Sequence, residues 1–105
     1  MSELRLCPLS ELVEGEPRRI HVTGHTAFCA YLVDGAPYVS DNACTHGSAS
    51  LGEEGELDGF TIICTWHNGA FDIRTGEVIE GPCYIPLKVY PASIRDGEVW
   101  ITLDS

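Results

Sequence analysis

The sequence predicts an all-β protein made of short antiparallel strands, and three observations lead to this prediction. Short runs of β-branched, aromatic or alternating apolar residues recur throughout the 105 residues. Turn-forming pairs such as Asp-Gly, Asn-Gly and Gly-Pro separate these runs. No stretch of ten or more residues spaces its apolar side chains as a helix would. We therefore expect one domain with the architecture of an antiparallel sandwich or a barrel.

The first part of the chain predicts four strands and one helical turn. Residues 4–9 alternate apolar side chains and predict an edge strand. Ser10 is the expected N-cap of one helical turn, and residues 18–22 alternate again. The continuous apolar run at 27–33 predicts a strand that is buried on both faces. Asp34-Gly35 follows it and predicts a tight hairpin that leads into a strand at Pro37-Tyr38-Val39.

The second part of the chain predicts four more strands, at residues 60–64, 70–73, 88–94 and 98–103. The last two are expected to form a hairpin around Asp96-Gly97. Residues 53–59 are acidic and rich in glycine, which predicts a solvated connection. Residues 81–86 contain Pro82 and Pro86 and predict a stiff loop, because each proline fixes its φ angle.

The net charge excludes some classes of partner. Six Lys and Arg residues against 16 Asp and Glu residues give a formal charge of −10. Nucleic acids and anionic membranes bind basic surfaces, so neither is an expected partner. The charge favours docking on a basic protein surface, and the alternative explanation is that it only keeps the protein in solution.

Hydropathy and cysteine usage predict a cytoplasmic location, and we separately expect a monomer. No apolar run reaches about 18 residues, the length that crosses a bilayer, and the first residues do not have the pattern of a signal peptide. The cysteine count of five is odd, which suits metal ligands and core thiols better than a disulfide framework. We expect Cys7 and Cys29 to be core residues.

Two short motifs, Cys44-Thr45-His46 and Cys64-Thr65-Trp66-His67, predict a metal site. Seventeen residues separate His46 from Cys64. Two thiolates and two imidazoles can bind zinc, but structural zinc sites usually pair Cys with Cys and His with His. One Cys and one His in each loop is the ligand order of a [2Fe–2S] cluster in which two His replace two Cys on one iron. The alternation favours the cluster, and a zinc site stays open as an alternative.

The spacing of these ligands resembles that of the Rieske family. The resemblance runs from about residue 20 to residue 103, which is nearly the whole chain. The flanking sequences agree as well, in Cys44-Thr45-His46-Gly47, Cys64-Thr65-Trp66-His67-Asn68-Gly69-Ala70-Phe71-Asp72, Phe71-Asp72-Ile73-Arg74-Thr75-Gly76-Glu77 and Pro86-Leu87-Lys88-Val89-Tyr90-Pro91. The chain is therefore similar to Rieske proteins in both loops and in the segments that follow them.

This resemblance implies the fold and the ligand set. It implies a Rieske fold, an antiparallel β-sandwich base with a small cluster-binding subdomain. The implied boundaries are a single Rieske domain at 1–105, with the cluster-binding subdomain at about 42–85 and the base at 1–41 plus 86–105. Cys44 and Cys64 would hold one iron of a Rieske [2Fe–2S] cluster, and His46 and His67 would hold the other.

The chain departs from the high-potential respiratory members of the family at four positions. Ala49 and Trp66 stand where those members have two cysteines joined as a disulfide, so no disulfide can join these loops. Gly69 and Phe71 replace a Ser and a Tyr whose hydroxyl groups donate hydrogen bonds to sulfur. Fewer donors to sulfur stabilise the reduced cluster less. We therefore expect a potential at the low end of the Rieske range, about −150 mV.

These features resemble the soluble Rieske ferredoxins of bacterial multicomponent aromatic-ring-hydroxylating dioxygenases. The resemblance implies an electron carrier in aromatic hydrocarbon catabolism, with no catalytic residues of its own. Its implied partners are a ferredoxin reductase, which is an NADH-dependent flavoprotein, and a terminal ring-hydroxylating oxygenase. Because such a carrier does not contact the aromatic substrate, the sequence indicates a class of system and not one substrate.

Two other functions compete with the electron carrier. A terminal oxygenase needs a second iron site with two His and one carboxylate, and only His21 and His25 remain for it in this chain. The small Rieske-like subunit of an assimilatory nitrite reductase fits the size, but such subunits often lack the cluster ligands. We expect both remaining histidines to be scaffold or surface residues, and Cys83 not to be a ligand.

Overall fold

The all-β prediction is confirmed. A computed structural model describes residues 2–44, 49–65, 69–81 and 85–103. The strands are β1 (Ser2–Pro8), β2 (Arg18–Ile20), β3 (Phe28–Val33), β4 (Ala36–Asp41), β5 (Gly55–Asp58), β6 (Thr61–Cys64), β7 (Gly69–Asp72), β8 (Val78–Glu80), β9 (Val89–Tyr90), β10 (Ala92–Arg95) and β11 (Glu98–Leu103). A 3₁₀ turn (Leu9–Glu11) and one short α-helical turn, α1 (Leu51–Glu54), complete the regular structure of these residues. None of their helices is long and apolar enough to cross a membrane.

The described strands form three antiparallel sheets. The first sheet has the order β1-β11-β10, the second β2-β3-β4-β9 and the third β5-β6-β7-β8. Every strand pair within them is antiparallel. All strands of the third sheet lie inside the segment 42–85, where the sequence predicts a cluster-binding subdomain.

Strand β3 makes the second sheet the middle layer of the molecule. Its residues alternate between two buried cores, because successive side chains of a strand point to opposite faces. Cys29 and Tyr31 lie in the core shared with the third sheet, which also contains Ile62. Phe28 and Ala30 lie in the core shared with the first sheet. The predicted burial of this strand on both faces is confirmed.

Both predicted hairpins are present, and their turns have the local conformation that two-residue loops require. Asp34 and Gly35 have φ angles of 53° and 76° between β3 and β4. Asp96 and Gly97 have φ angles of 50° and 73° between β10 and β11. Two consecutive positive φ angles match the right-handed twist of the flanking strands. The Glu14 carboxylate accepts the N–H groups of both residues of the first turn, at 2.8 and 3.1 Å.

The prediction for the N-terminal segment is right about the strand and wrong about the cap. Strand β1 is an edge strand of its sheet, as expected. Ser10 is not an N-cap, because it lies inside a 3₁₀ turn that starts at Leu9 and follows Pro8. The N–H of Leu9 donates to the carbonyl of Gly97 at 2.9 Å. The contact with the β10–β11 turn therefore sets where the strand ends and the turn begins.

The prediction of a solvated connection at 53–59 is wrong. The segment contains the end of helical turn α1 and the whole of strand β5, which pairs with β6. Leu57 packs against the core beneath the third sheet, whereas Glu56 and Asp58 are exposed. Side chains of a strand point alternately to the two faces of a sheet, and the acidic side chains of β5 are those on the solvent face.

The C-terminal prediction is wrong about one strand boundary and missed one strand. Residues 88–94 do not form one strand, because Pro91 divides them into β9, which pairs with β4, and β10, which pairs with β11. Proline has no N–H to donate, but its carbonyl accepts the N–H of Thr102 at 3.0 Å. Strand β8 at Val78–Glu80 was not predicted.

Gly76 joins the turn after β7 to the segment that leads into β9. Its φ angle is +82°, and a Cβ atom at this position would lie 1.9 Å from the carbonyl oxygen of Leu87. The N–H of Leu87 donates to the carbonyl of Gly76 at 2.8 Å. Leu87 itself is buried in the core shared by the second and third sheets. Only glycine permits this close approach of two backbones.

We expect Gly76→Ala to destabilise the fold far more than Gly59→Ala. Both glycines have positive φ, but the space around Gly59 is open, so its alanine variant suffers only the left-handed strain of about 1 kcal/mol. The added methyl group at Gly76 must also displace the Leu87 backbone, and we expect a loss of about 3 kcal/mol. Urea unfolding measures both values. Equal losses would show that the contact with Leu87 does not constrain the fold.

Candidate metal centre

The first predicted ligand, Cys44, lies at the start of a closed loop. It comes three residues after the end of β4, and 2% of its surface is exposed. Its N–H donates to the carbonyl of Ala49 at 3.0 Å, and Ala43 forms an antiparallel bridge with Ser50. These contacts bring the two ends of the loop together. The predicted ligand His46 falls at 45–48, outside the described residues.

The second predicted ligand, Cys64, is the last residue of β6. It lies opposite Gly55 of β5 and Gly69 of β7, and 1% of its surface is exposed. Its side chain is on the same face as that of Ile62, which points into the core. The predicted ligand His67 falls at 66–68, also outside the described residues.

The fold brings the two cysteines into one buried core. Cys44 and Cys64 belong to the cluster between the second and third sheets, together with Leu51, Phe71 and Leu87. A thiolate is costly to bury in such an apolar setting, and a bound cation removes that cost. Two thiols buried together at the ends of two loops therefore fit an iron–sulfur cluster, whose irons take thiolate ligands.

The residues around these thiols are apolar at Phe71, where the respiratory members have a hydroxyl group, and at Ala49, where they have a disulfide cysteine. Phe71 is completely buried in the same core, and Ala49 has only 1% of its surface exposed. Neither side chain can donate a hydrogen bond to sulfur. The described surroundings therefore agree with the expectation of a low reduction potential. Trp66, also noted there, lies outside the described residues.

Cys7 and Cys29 are core thiols, as predicted. Cys7 lies between the first and second sheets, and Cys29 lies between the second and third. Burial raises the pKa of Cys29 to about 12 and that of Cys7 to about 11. Both groups are therefore protonated at neutral pH, which is the state of a core thiol and not of a metal ligand.

A buried polar pair lies beside Cys29. The hydroxyl of Tyr31 donates to Ser40 Oγ at 2.8 Å, since the Ser40 hydroxyl itself donates to the carbonyl of Asp41 at 2.9 Å. Burial raises the pKa of Tyr31 well above its usual value. These bonds satisfy the polar groups in the interior of the second sheet, and sequence reasoning did not identify them.

The two remaining histidines have the surface position that the sequence analysis expected. His21 and His25 are exposed, and the ring of His25 lies 6.0 Å from that of Phe28. Among the described residues no three His, Cys, Asp or Glu side chains are grouped so as to hold a metal ion. Cys83 lies outside the described residues, so its expected role as a non-ligand stays a prediction.

Comparison with known proteins assigns the family. Residues 2–91 match the family of the Rieske [2Fe-2S] domain. The chain belongs to this family. The ferredoxin component of the p-cumate 2,3-dioxygenase system of Pseudomonas putida is 40% identical over 96 residues, which cover 91% of this chain and 81% of the relative. This chain is thus a Rieske ferredoxin of the kind that serves aromatic-ring dioxygenase systems.

Solved structures agree in fold over nearly the whole chain. The Sphingomonas yanoikuyae B1 ferredoxin has a TM-score of 0.90 and 44% identity, covering 98% of this chain and all (100%) of its own. A chain in the complex of reduced oxygenase and oxidized ferredoxin in carbazole 1,9a-dioxygenase has a TM-score of 0.85 and 38% identity. The match covers 94% of this chain and 91% of that one. The Rieske fold and the electron-carrier function are confirmed, and the Rieske cluster is the cofactor of this family.

We expect the raised pKa of Cys29 to make the protein less stable at alkaline pH. A thiol whose pKa rises on folding leaves stability unchanged below its ordinary value near 9, and stability falls as the pH rises from there towards about 12. The loss is about 1.4 kcal/mol per pH unit for one group. Urea unfolding at several pH values measures this slope.

The variant Cys29→Ala removes this group and should reduce the alkaline slope by that amount. Cys7→Ala is the comparison. The pKa of the Cys7 thiol rises only to about 11, so its contribution to the loss of stability ends at a lower pH. If the alkaline slope is the same in Cys29→Ala and in the parent protein, the titration of Cys29 does not cause the loss of stability.

Proposed function

We propose that this chain carries single electrons from an NADH-dependent flavoprotein reductase to the Rieske centre of a terminal aromatic-ring oxygenase. The observation that supports this most directly is the joint burial of Cys44 and Cys64 in one core. The relatives support the partner class, because one is a component of a dioxygenase system and another is part of a complex between oxygenase and ferredoxin.

We further propose that Cys44 and Cys64 bind one iron and His46 and His67 bind the other. A bound Rieske cluster supplies reversible one-electron transfer. The two imidazoles are neutral, so this ligand set is less negative than four thiolates and accepts an electron more readily. Phe71 counteracts this effect in part, because it places no hydroxyl group beside the thiols.

The apolar core around the cysteines also favours electron transfer. Leu51, Phe71 and Leu87 exclude water from the thiol side of the site. A site without water reorganises little when its charge changes, and fixed dipoles act more strongly there. The protein can thus accept and return an electron without refolding around it.

The charge of the protein defines the expected partner surfaces. A net charge of −10 attracts a basic surface over a distance and repels other acidic proteins. Exposed acidic side chains on β5, Glu56 and Asp58, face outward from the third sheet. We propose that the reductase and the oxygenase present basic surfaces, with association that weakens as ionic strength rises.

The subdomain boundaries and the cellular location are also part of this proposal. We propose a cluster-binding subdomain at about 42–85 on a base formed by 1–41 plus 86–105, since the third sheet lies wholly within the first segment. We also propose that the protein acts as a monomer in the cytoplasm, where Cys7 and Cys29 stay reduced.

Reconstitution tests the function. The protein is mixed with NADH and with the reductase and oxygenase of one aromatic-ring dioxygenase system, and product formation is measured. We expect activity that requires this protein, that disappears in Cys64→Ser and that persists in Cys7→Ala. Reduction by the flavoprotein without any transfer to an oxygenase, tested across several such systems, would contradict the proposal.

The variant His67→Cys tests the ligand set. The purified protein should be red-brown and contain about two irons and two acid-labile sulfides per chain, the content of one cluster. A thiolate in place of an imidazole adds negative charge, so the reduction potential should fall and the EPR signal of the reduced protein should change.

The matched control for this variant is His25→Cys, which places the same change on the exposed surface. It should leave the potential unchanged. A colourless protein with one zinc ion would overturn the cofactor assignment. An unchanged potential in His67→Cys would remove His67 from the ligand set.

A further inference from the structure

A short segment, residues 50–54, lies between the loops that start at Cys44 and Cys64. Hydrogen bonds join it to a residue near each of these cysteines. We call it the bridge segment; it consists of Ser50 and helical turn α1. We propose that Asn42 and Thr65 are positioning residues that hold the two loops at a fixed separation through this segment. The inference rests on the proposed function, since it takes Cys44 and Cys64 as ligands.

Asn42 joins the first loop to the bridge segment. It lies two residues before Cys44, and only 5% of its surface is exposed. Its Nδ2 donates to Ser50 Oγ at 2.8 Å, and its Oδ1 accepts the N–H of Gly52 at 2.8 Å. Its carbonyl accepts the N–H of Leu51, also at 2.8 Å. Three bonds from one buried residue thus fix the start of the segment.

Thr65 joins the second loop to the other end of the segment. It follows Cys64 directly, and its hydroxyl donates to the carbonyl of Glu54 at 2.5 Å. Within the segment, the N–H of Glu54 donates to the carbonyl of Ser50 at 2.8 Å, and Glu54 Oε1 accepts the N–H of Ser50 at 3.2 Å. A continuous series of hydrogen bonds therefore runs from Asn42 to Thr65.

The bridge segment is itself held in place by the base of the molecule. A Cβ atom at Gly52 would lie 2.3 Å from the backbone nitrogen of Arg19, so the segment lies directly against β2. Leu51 is completely buried in the core that also contains Cys44 and Cys64. The segment cannot slide along the second sheet without breaking these contacts.

This arrangement bears on the metal site because both ends of the series lie within two residues of a cysteine. A metal site tolerates little displacement of its ligands, about 0.5 Å, before its properties change. Groups that orient ligands without touching the metal typically change metal affinity by about 10- to 100-fold. A residue that only stabilises the fold would lower the unfolding midpoint but leave the spectrum of the loaded site unchanged.

The experiment uses two small substitutions with matched controls in the complete protein. Thr65→Val removes the hydroxyl on the exposed side of the second loop, and Thr61→Val makes the same change at the start of β6. Ser50→Ala removes the acceptor of Asn42 Nδ2, and Ser93→Ala is its control on β10. The measurements are the EPR g values of the reduced protein, the rate of cluster loss in mild urea and the unfolding midpoint.

We expect Thr65→Val and Ser50→Ala to shift the g values and to lose the cluster about fivefold faster, the factor that corresponds to one net hydrogen bond. Thr61→Val and Ser93→Ala should match the parent protein in both. Unchanged g values and loss rates in Thr65→Val and Ser50→Ala, or equal changes in the controls, would overturn the positioning role alone. A parent protein without an iron–sulfur cluster would overturn this role and the proposed function together.

Discussion

The burial of Cys44 and Cys64 in one apolar core is the constraint on which the rest of this structure depends. The core forms because β3 in the second sheet and β6 and β7 in the third sheet turn their apolar faces towards each other. A thiolate in such a place is costly, and a bound metal ion would remove that cost. In this Rieske ferredoxin the fold thus buries the thiols, and the cofactor would compensate the cost of burying them as thiolates.

Backbone contacts at glycines hold the segments around this core. Gly52 lies against β2, and Gly76 lies against Leu87, each at a distance that no other residue permits. These contacts attach the third sheet and its loops to the middle layer at two separate points. Such attachment suits an electron carrier, because a site that stays in place reorganises little when its charge changes.

The chemical character of the site follows from which groups surround the thiols. Phe71 and Ala49 are apolar and buried, so the described surroundings favour a low potential within the Rieske range. The acidic surface adds a long-range attraction to basic partners. The similarity to the ferredoxin component of a dioxygenase system agrees with the role of an electron carrier.

The sequence by itself determined the chemistry and the local turns. The alternating order of Cys and His indicates the cluster whatever the fold, and Asp34-Gly35 and Asp96-Gly97 form hairpins because their positive φ angles are a local property. Only the tertiary structure decided that residues 55–58 form a strand, that Pro91 separates two strands of different sheets, and that Asn42 reaches the bridge segment. These features depend on partners that are distant in the chain, so no local pattern could predict them.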